Sequence, residues 1–137
     1  MLESRFMRSS LCVLVVEDNP DDAHLVERAF EETNSHAQLY GARDADEALA
    51  TLRAAPLDLM LLDLCLPGLG GLAILAHVRG TPAHRDLPVV VMTSSPSEAD
   101  RDASMLLGAD DFLTKPSTYE DLLSVVKSLA ARYRSRS

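Results

Sequence analysis

The sequence has few aromatic residues and only two cysteines, Cys12 and Cys65. Neither cysteine belongs to a C-x-x-C pair or lies near a histidine pair at metal spacing, so a disulfide framework and a zinc site have little support. No apolar run is long enough to cross a bilayer, and residues 1–10 carry scattered charges where a signal peptide has an apolar core. These absences predict a cytoplasmic protein without a membrane partner, and they leave residues 1–10 as a flexible N-terminal arm.

Positive charge is also scarce, because 13 Lys and Arg residues face 21 Asp and Glu residues and give a formal net charge of -8. This balance repels a phosphate backbone, and no basic patch with interleaved aromatic residues is present. Direct binding to nucleic acid is therefore not expected. The remaining composition, 47% hydrophobic and 25% charged over 137 residues, is that of one globular domain with a substantial core.

Apolar runs of strand length alternate five times with segments of helical periodicity. The runs do not alternate polar and apolar residues, which is typical of strands buried on both faces of a parallel sheet. Helix starts are marked by Asn19 followed by Pro20 and by Ser117 with Glu120. The pattern predicts one three-layer α/β domain with right-handed crossovers. The predicted strands are residues 11–16, 39–42, 59–62, 87–92 and 111–113.

A charged or hydroxyl side chain closely follows four of the predicted strands. In a parallel sheet these strand ends share one edge, and with the first strand central they gather at the switch point where ligands bind. Each residue alone has an ordinary explanation as a loop cap or a solvated surface group, and their common position is what favours a site. The residues are Glu17 and Asp18, Asp63, Thr93 and Lys115.

The chemistry of such a cluster follows from its charges. Carboxylates crowded together repel one another unless a cation offsets them, and a small set of hard oxygen ligands favours Mg²⁺. With the metal held by Glu17 and Asp18, Asp63 can act as a nucleophile that accepts a phosphoryl group. Lys115 would then contact one phosphoryl oxygen, and the hydroxyl of Thr93 would contact another.

Two further acids, Asp21 and Asp22, stand in the first turn of the first predicted helix. Acids at that position offset the positive end of the helix dipole, so we interpret both as structural. The four histidines are dispersed along the chain, and none has metal or triad spacing. Neither group adds to the predicted site.

These residues and their neighbours resemble the receiver domains of two-component response regulators. The resemblance covers residues 11–133 and implies a doubly wound, flavodoxin-like parallel sheet of five strands in the order 2-1-3-4-5, flanked by five helices. Each motif alone is weak, whereas all of them in this order are specific. The motifs are residues 16–20 (Val-Glu-Asp-Asn-Pro), residues 61–64 around Asp63 with Pro67 and Gly71, Thr93-Ser94, and Thr114-Lys115-Pro116.

The resemblance implies that Asp63 takes a phosphoryl group from the phosphohistidine of a sensor histidine kinase or from a phosphotransfer protein. Such a protein promotes its own phosphorylation and dephosphorylation and is not an enzyme acting on a separate substrate. The implied Mg²⁺ ligands are Glu17, Asp18, Asp63 and the backbone carbonyl of Cys65. The peptide bond before Pro116 is implied to be cis.

Thr93 and Phe112 resemble the switch pair of the same family. Phosphorylation would move Thr93 toward the phosphoryl group and turn Phe112 inward, which would alter the face made by the fourth helix, fifth strand and fifth helix. A phenylalanine has no hydroxyl with which to form a polar latch, so this switch would rest on packing.

Partners are suggested by the end of the chain and by the narrower motifs. No output domain follows the last predicted helix, and residues 134–137 form a basic tail, so we expect signalling by contact with a downstream protein. The motifs Glu-Asp-Asn-Pro and Thr-Ser-Ser resemble stand-alone regulators paired with bacterial phytochrome-type kinases, which makes such a kinase a candidate partner. Candidates for a homodimer contact on the last helix are Leu122, Val126, Leu129 and Tyr133.

Other classes of protein fit the sequence less well. A haloacid-dehalogenase-type phosphatase needs a second acid two residues after its nucleophile, where Cys65 stands. A flavodoxin-like flavin carrier needs a first loop without acids, which Glu17 and Asp18 exclude, and a P-loop signature is absent. The alternative that stays open is a receiver that acts as a docking or adaptor module without phosphorylation.

Overall fold

Five short strands and five helices alternate along the chain. The computed structural model describes residues 11–33, 36–68, 70–94 and 96–133, so the predicted arm at 1–10 and basic tail at 134–137 lie outside the described residues. The strands are β1 (Cys12–Val16), β2 (Gln38–Ala42), β3 (Leu59–Leu62), β4 (Val89–Thr93) and β5 (Asp111–Thr114). The helices are α1 (Pro20–Thr33), α2 (Ala45–Ala54), α3 (Gly70–Gly80), α4 (Glu98–Leu106) and α5 (Tyr119–Arg132).

The strands form one parallel sheet in the order β2-β1-β3-β4-β5, which confirms the predicted fold class. In its register Val16 at the end of β1 lies beside Leu62 at the end of β3. Thr93 at the end of β4 lies beside Thr114 at the end of β5. The residues after these strands therefore meet at one edge, which we call the carboxyl rim; the opposite edge is the amino rim.

Both faces of the sheet are covered, which is why the three central strands, β1, β3 and β4, are almost entirely apolar. On one face, strand residues pack against α2 and α3; on the other, they pack against α1 and α5. Helix α4 contributes a single fully buried side chain, that of Ser104, and is the most lightly packed helix among the described residues. The buried residues on the α1 and α5 face are Leu11, Val13, Val15, Ala29, Phe30, Leu59, Leu61, Val90, Met92, Leu122, Val126 and Leu129.

Side-chain caps fix where four of the helices begin: Asn19 for α1, Asp44 for α2, Ser97 for α4 and Thr118 for α5. Asn19 Oδ1 accepts hydrogen bonds from the N–H groups of Asp21 and Asp22, at 2.9 and 3.3 Å, as the Asn-Pro pair predicts. At α5 the expected cap, Ser117 with Glu120, is wrong by one residue. Thr118 keeps an extended backbone, with φ -122° and ψ 154°, and its side chain accepts from Asp121 N–H. The helix therefore starts at Tyr119.

The apolar face of α5 is not available for a dimer in this structure. Leu122, Val126 and Leu129 are 7%, 0% and 2% exposed, because they pack onto the sheet together with α1. The expectation that these three side chains form a homodimer contact is therefore wrong, because they lie in the domain's own core. Tyr133, the fourth candidate, is half-buried, and a homodimer through other residues stays a prediction. Within the described part of the chain, no helix is both long and apolar enough to cross a membrane.

Candidate functional site at the carboxyl rim

Backbone hydrogen bonds extend the sheet one residue past its strands and fix two of the predicted site residues. Asp63 N–H donates to the carbonyl of Val16 at 3.1 Å, and Lys115 N–H donates to the carbonyl of Thr93 at 2.9 Å. Because each N–H is tied to the neighbouring strand, each side chain leaves the rim at a defined point. Three of the rim residues are buried, with Glu17 6%, Asp63 5% and Thr93 1% exposed.

The ammonium of Lys115 lies among three carboxylates. Its Nζ is 2.9 Å from Asp63 Oδ2 and 3.0 Å from Asp22 Oδ2, and it also contacts Glu17 Oε1. Burial lowers the pKa of Lys115, but hydrogen bonds to the three carboxylates outweigh it and raise the pKa well above its ordinary value. Lys115 therefore stays cationic at this rim.

The approach of Lys115 does not use the backbone geometry that the family resemblance implied. Among the residues that the structure describes, no peptide bond is cis, so the expected cis bond before Pro116 is wrong. The hydrogen bond of Lys115 N–H to β4 and the length of its side chain bring the ammonium to Asp63 with a trans bond.

Both carboxylate oxygens of Asp63 have partners. Oδ2 accepts from Lys115, and Oδ1 accepts from the N–H of Cys65 at 3.0 Å. The Cys65 thiol is exposed. The first turn of α3 passes so close to this loop that a Cβ on Gly71 would lie 2.6 Å from the carbonyl oxygen of Asp63. A glycine there allows helix and loop to pack tightly.

Three acids at the rim could hold a metal ion. One carboxylate oxygen from each of Glu17, Asp18 and Asp63 lies within 4.8 Å of the others, with Asp18 exposed and the other two buried. Burial raises the pKa of Glu17 and the charge of Asp63 adds to the rise, against hydrogen bonds from Lys115 and from Asn19 N–H. A compact set of hard oxygen donors with unfavourable mutual repulsion fits a divalent cation.

Asp22 is the member of this site that sequence reasoning missed. We interpreted it as a helix-dipole residue alone, yet its carboxylate contacts Lys115, 93 positions further along the chain. The available signal was its place in the first turn of the helix that follows β1. Side chains in a helix tilt toward its N-terminus, so an acid there points back toward the carboxyl rim.

The predicted switch residues occupy neighbouring strands. Thr93 ends β4, and Phe112 in β5 is 3% exposed, with the guanidinium of Arg101 from α4 5.0 Å from its ring centroid. The ring therefore already faces the core, and a cation on the surface of α4 covers it.

Solved structures with the same fold include two response regulators. The phosphorylated cyanobacterial phytochrome response regulator RcpA is 31% identical, with a TM-score of 0.84 over 90% of this chain and 94% of RcpA. The Mn²⁺-bound form of the response regulator Rcp1 is 33% identical, with a TM-score of 0.79 over 88% of this chain and 92% of Rcp1. Both likenesses cover nearly the whole of each chain.

Curated relatives include longer regulatory proteins. The phosphate regulon transcriptional regulatory protein PhoB of Escherichia coli is 35% identical over 88% of this chain and 52% of PhoB. Regulatory protein VanR of Enterococcus faecium is 32% identical over 89% of this chain and 51% of VanR. The chain thus spans about half the length of these relatives. Residues 13–127 match the model of the response regulator receiver domain, and the chain belongs to that family.

Proposed function

We propose that Asp63 accepts a phosphoryl group from a phosphohistidine, carried by a sensor histidine kinase or a phosphotransfer protein, and passes the signal to a downstream protein. The observation that carries the proposal is the buried carboxylate of Asp63 with the ammonium of Lys115 2.9 Å from one of its oxygens. A nucleophilic oxygen and a fixed positive charge at one point are what phosphoryl transfer requires, since it depends mainly on positioning and charge neutralisation.

Phosphoryl transfer to Asp63 exchanges a phosphorus–nitrogen bond for a phosphorus–oxygen bond. An oxygen of the Asp63 carboxylate forms a bond to phosphorus while the bond from phosphorus to the histidine nitrogen breaks, and its electron pair returns to the imidazole. Hydrolysis later reverses the modification: water attacks phosphorus, the bond to Asp63 breaks, and the carboxylate and inorganic phosphate are released. These two steps make the protein a participant in its own phosphorylation and dephosphorylation.

The chain's own residues would divide the work by charge and position. Lys115 donates to one phosphoryl oxygen, and the hydroxyl of Thr93 donates to another. Glu17, Asp18 and Asp63 are the side chains that would hold Mg²⁺, and the carbonyl of Cys65 is the fourth proposed ligand. When bound, the ion supplies positive charge that offsets the carboxylates and the phosphoryl oxygens. The acidic cluster described above supports this assignment.

The output would pass through the face of α4, β5 and α5, with Thr93 and Phe112 as the switch pair. Support comes from the burial of both residues and from their place on adjacent strands that end at the carboxyl rim. Because Phe112 lacks a hydroxyl, its response to phosphorylation depends on packing against the core and on the Arg101 guanidinium above its ring. A phytochrome-type kinase is the proposed donor, supported by the likeness to RcpA.

The direct test is a mass measurement of the phosphorylated protein. Incubation with Mg²⁺ and acetyl phosphate should add the mass of one phosphoryl group, and Asp63→Asn should abolish the addition. Asp58→Asn is the matched control, because Asp58 is about as buried as Asp63, 7% against 5%, but lies at the amino rim. No addition to the wild type with acetyl phosphate or with a phosphorylated phytochrome-type kinase would favour the docking-module alternative.

A further inference from the structure

The first turn of α1 holds two adjacent acids in unlike surroundings. The N–H groups of Asp21 and Asp22 both donate to Asn19 Oδ1, and both carboxylates lie at the positive end of the helix dipole. Asp22 Oδ2 lies 3.0 Å from Lys115 Nζ, whereas the structure gives Asp21 no ion pair within the described residues. The dipole explains both acids equally, so it leaves the contact between Asp22 and Lys115 unexplained.

The three partners of Lys115 differ in what else they can bind. Glu17 and Asp63 belong to the acidic cluster that fits a divalent cation, and Asp63 is also the proposed phosphoryl acceptor. Asp22 stands outside that cluster, on a helix, with its side chain 40% exposed. A bound cation and a phosphoryl group would therefore occupy the oxygens of Glu17 and Asp63. Asp22 would be the carboxylate that still contacts the ammonium of Lys115.

A lysine needs such a partner more than an arginine would. Its ammonium is a point charge on a flexible stem of four carbons, with three rotatable donors and no fixed direction. A partner that stays in place through the reaction reduces the conformations that the side chain must lose when it meets the phosphoryl group. The side chain of Lys115 is only 17% exposed, so it has little room beyond these partners.

We propose that Asp22 is a positioning residue, which holds one N–H of Lys115 so that the ammonium stays directed at the phosphoryl group on Asp63. The proposal rests on the function proposed above. It assigns Asp22 no contact with the phosphoryl group itself; the effect passes through Lys115.

The test compares neutral variants of the two adjacent acids. Asp22→Asn should lower the maximal rate of phosphoryl incorporation from acetyl phosphate by about 3- to 10-fold, as expected for partial loss of positioning. Asp21→Asn removes the same charge from the same helix turn and should stay within about 2-fold of the wild type. Asp22→Glu keeps a carboxylate at this position and should recover most of the lost rate. The donor concentration for half-maximal rate should change little in all three variants.

A double substitution separates positioning from a structural effect. In a Lys115→Met background, Asp22→Asn should change the remaining rate no more than Asp21→Asn does, because the residue through which Asp22 acts is gone. An additional loss in that background would overturn the proposal. So would an Asp22→Asn rate equal to or above that of Asp21→Asn in the otherwise wild-type protein.

Phosphoryl incorporation by the wild type distinguishes a wrong role for Asp22 from a wrong function for the protein. If the wild type incorporates phosphoryl groups on Asp63 and the two neutral variants behave alike, Asp22 has no positioning role and the function stands. If the wild type incorporates none, the function fails, and the inference is overturned with it because Lys115 then has no phosphoryl group to meet.

Discussion

Each rim of the sheet carries a partly buried cation that joins several segments of the chain, but the two cations have different surroundings. At the amino rim the Arg79 guanidinium donates to the carbonyls of Gly108, Arg85 and Leu87 at 2.7 to 3.0 Å and to Asp110 Oδ2 at 3.0 Å. Asp110 Oδ2 also accepts from the N–H at the start of β4. One positive and one negative charge, with neutral carbonyls between them, leave the cluster around Arg79 electrically balanced.

The carboxyl rim, in contrast, carries more negative than positive charge. Glu17, Asp22 and Asp63 contact the ammonium of Lys115, and Asp18 lies close to two of these acids. The five groups together carry a formal excess of three negative charges. Such an excess costs folding energy and attracts a divalent cation. At the amino rim, one cation bonded to several segments of the chain stabilises the fold. At the carboxyl rim, the same arrangement leaves an excess of negative charge that favours binding of a divalent cation.

The largest expected effect on stability is at Arg79, in the charge-balanced cluster at the amino rim. Arg79→Ala should lower the free energy of unfolding by about 3 kcal/mol, because the carbonyls of Gly108, Arg85 and Leu87 lose this donor and Asp110 loses its paired cation. Arg132→Ala is the control, since Arg132 also pairs with an acid, Asp111, but its side chain is 51% exposed against 21% for Arg79. The control should cost less than about 1 kcal/mol. Urea denaturation measures both, and equal losses would contradict the comparison.

The tight packing beneath the carboxyl rim predicts the next effect. Gly71→Ala should lower the free energy of unfolding by about 2 kcal/mol and reduce phosphoryl incorporation, because its Cβ would lie 2.6 Å from the Asp63 carbonyl oxygen and 2.8 Å from Leu64 Cα. Gly80→Ala in the same helix meets nothing within 4 Å and should change stability by less than about 1 kcal/mol. Thermal unfolding and acetyl phosphate labelling report the two properties separately.

Removal of a negative charge at the carboxyl rim should instead raise the free energy of unfolding. In buffer without divalent cations, Asp18→Asn should raise the free energy of unfolding by about 1 kcal/mol, since it removes a like charge that has no ion pair among the described contacts. Mg²⁺ should then stabilise the wild type and stabilise the variant much less. Calorimetry with and without Mg²⁺ gives both values. A less stable variant in the cation-free buffer would show that the excess charge does not cost folding energy.

The smallest expected effect concerns the two thiols, one at each rim. Burial, and then the charge of Asp58, raise the pKa of Cys12 at the amino rim, whereas Cys65 beside Asp63 is exposed. At pH 8 a thiol reagent should therefore modify Cys65 first. The difference should narrow as pH rises, because the Cys12 thiolate forms only as pH approaches its raised pKa. Mass spectrometry of the digested protein follows each site, and faster labelling of Cys12 at pH 8 would contradict this.

Local patterns predicted most of the fold, and the misses come from single-residue choices. The apolar runs predict the five strands and the Asn19-Pro20 pair predicts the start of α1, whereas the strand order follows only from the family resemblance. The cap of α5 was placed at Ser117 where Thr118 performs it, because two adjacent hydroxyl residues satisfy the same sequence rule and only the backbone angles distinguish them. The apolar face of α5 is a candidate for a dimer contact in the sequence alone, because periodicity shows that a helix has an apolar face without showing what covers it.

The functional site, like the fold, was only partly predictable from the sequence. The sequence determined that acids and a lysine follow the ends of buried strands, since a strand's apolar run and the polar residue that stops it are adjacent in the chain. Only the tertiary structure decided that Asp22 shares Lys115 with Glu17 and Asp63, and that Arg79 is satisfied by carbonyls at the other rim. The physical reason is distance along the chain: such contacts depend on strand register and on how a helix packs over the sheet, and no local pattern specifies either.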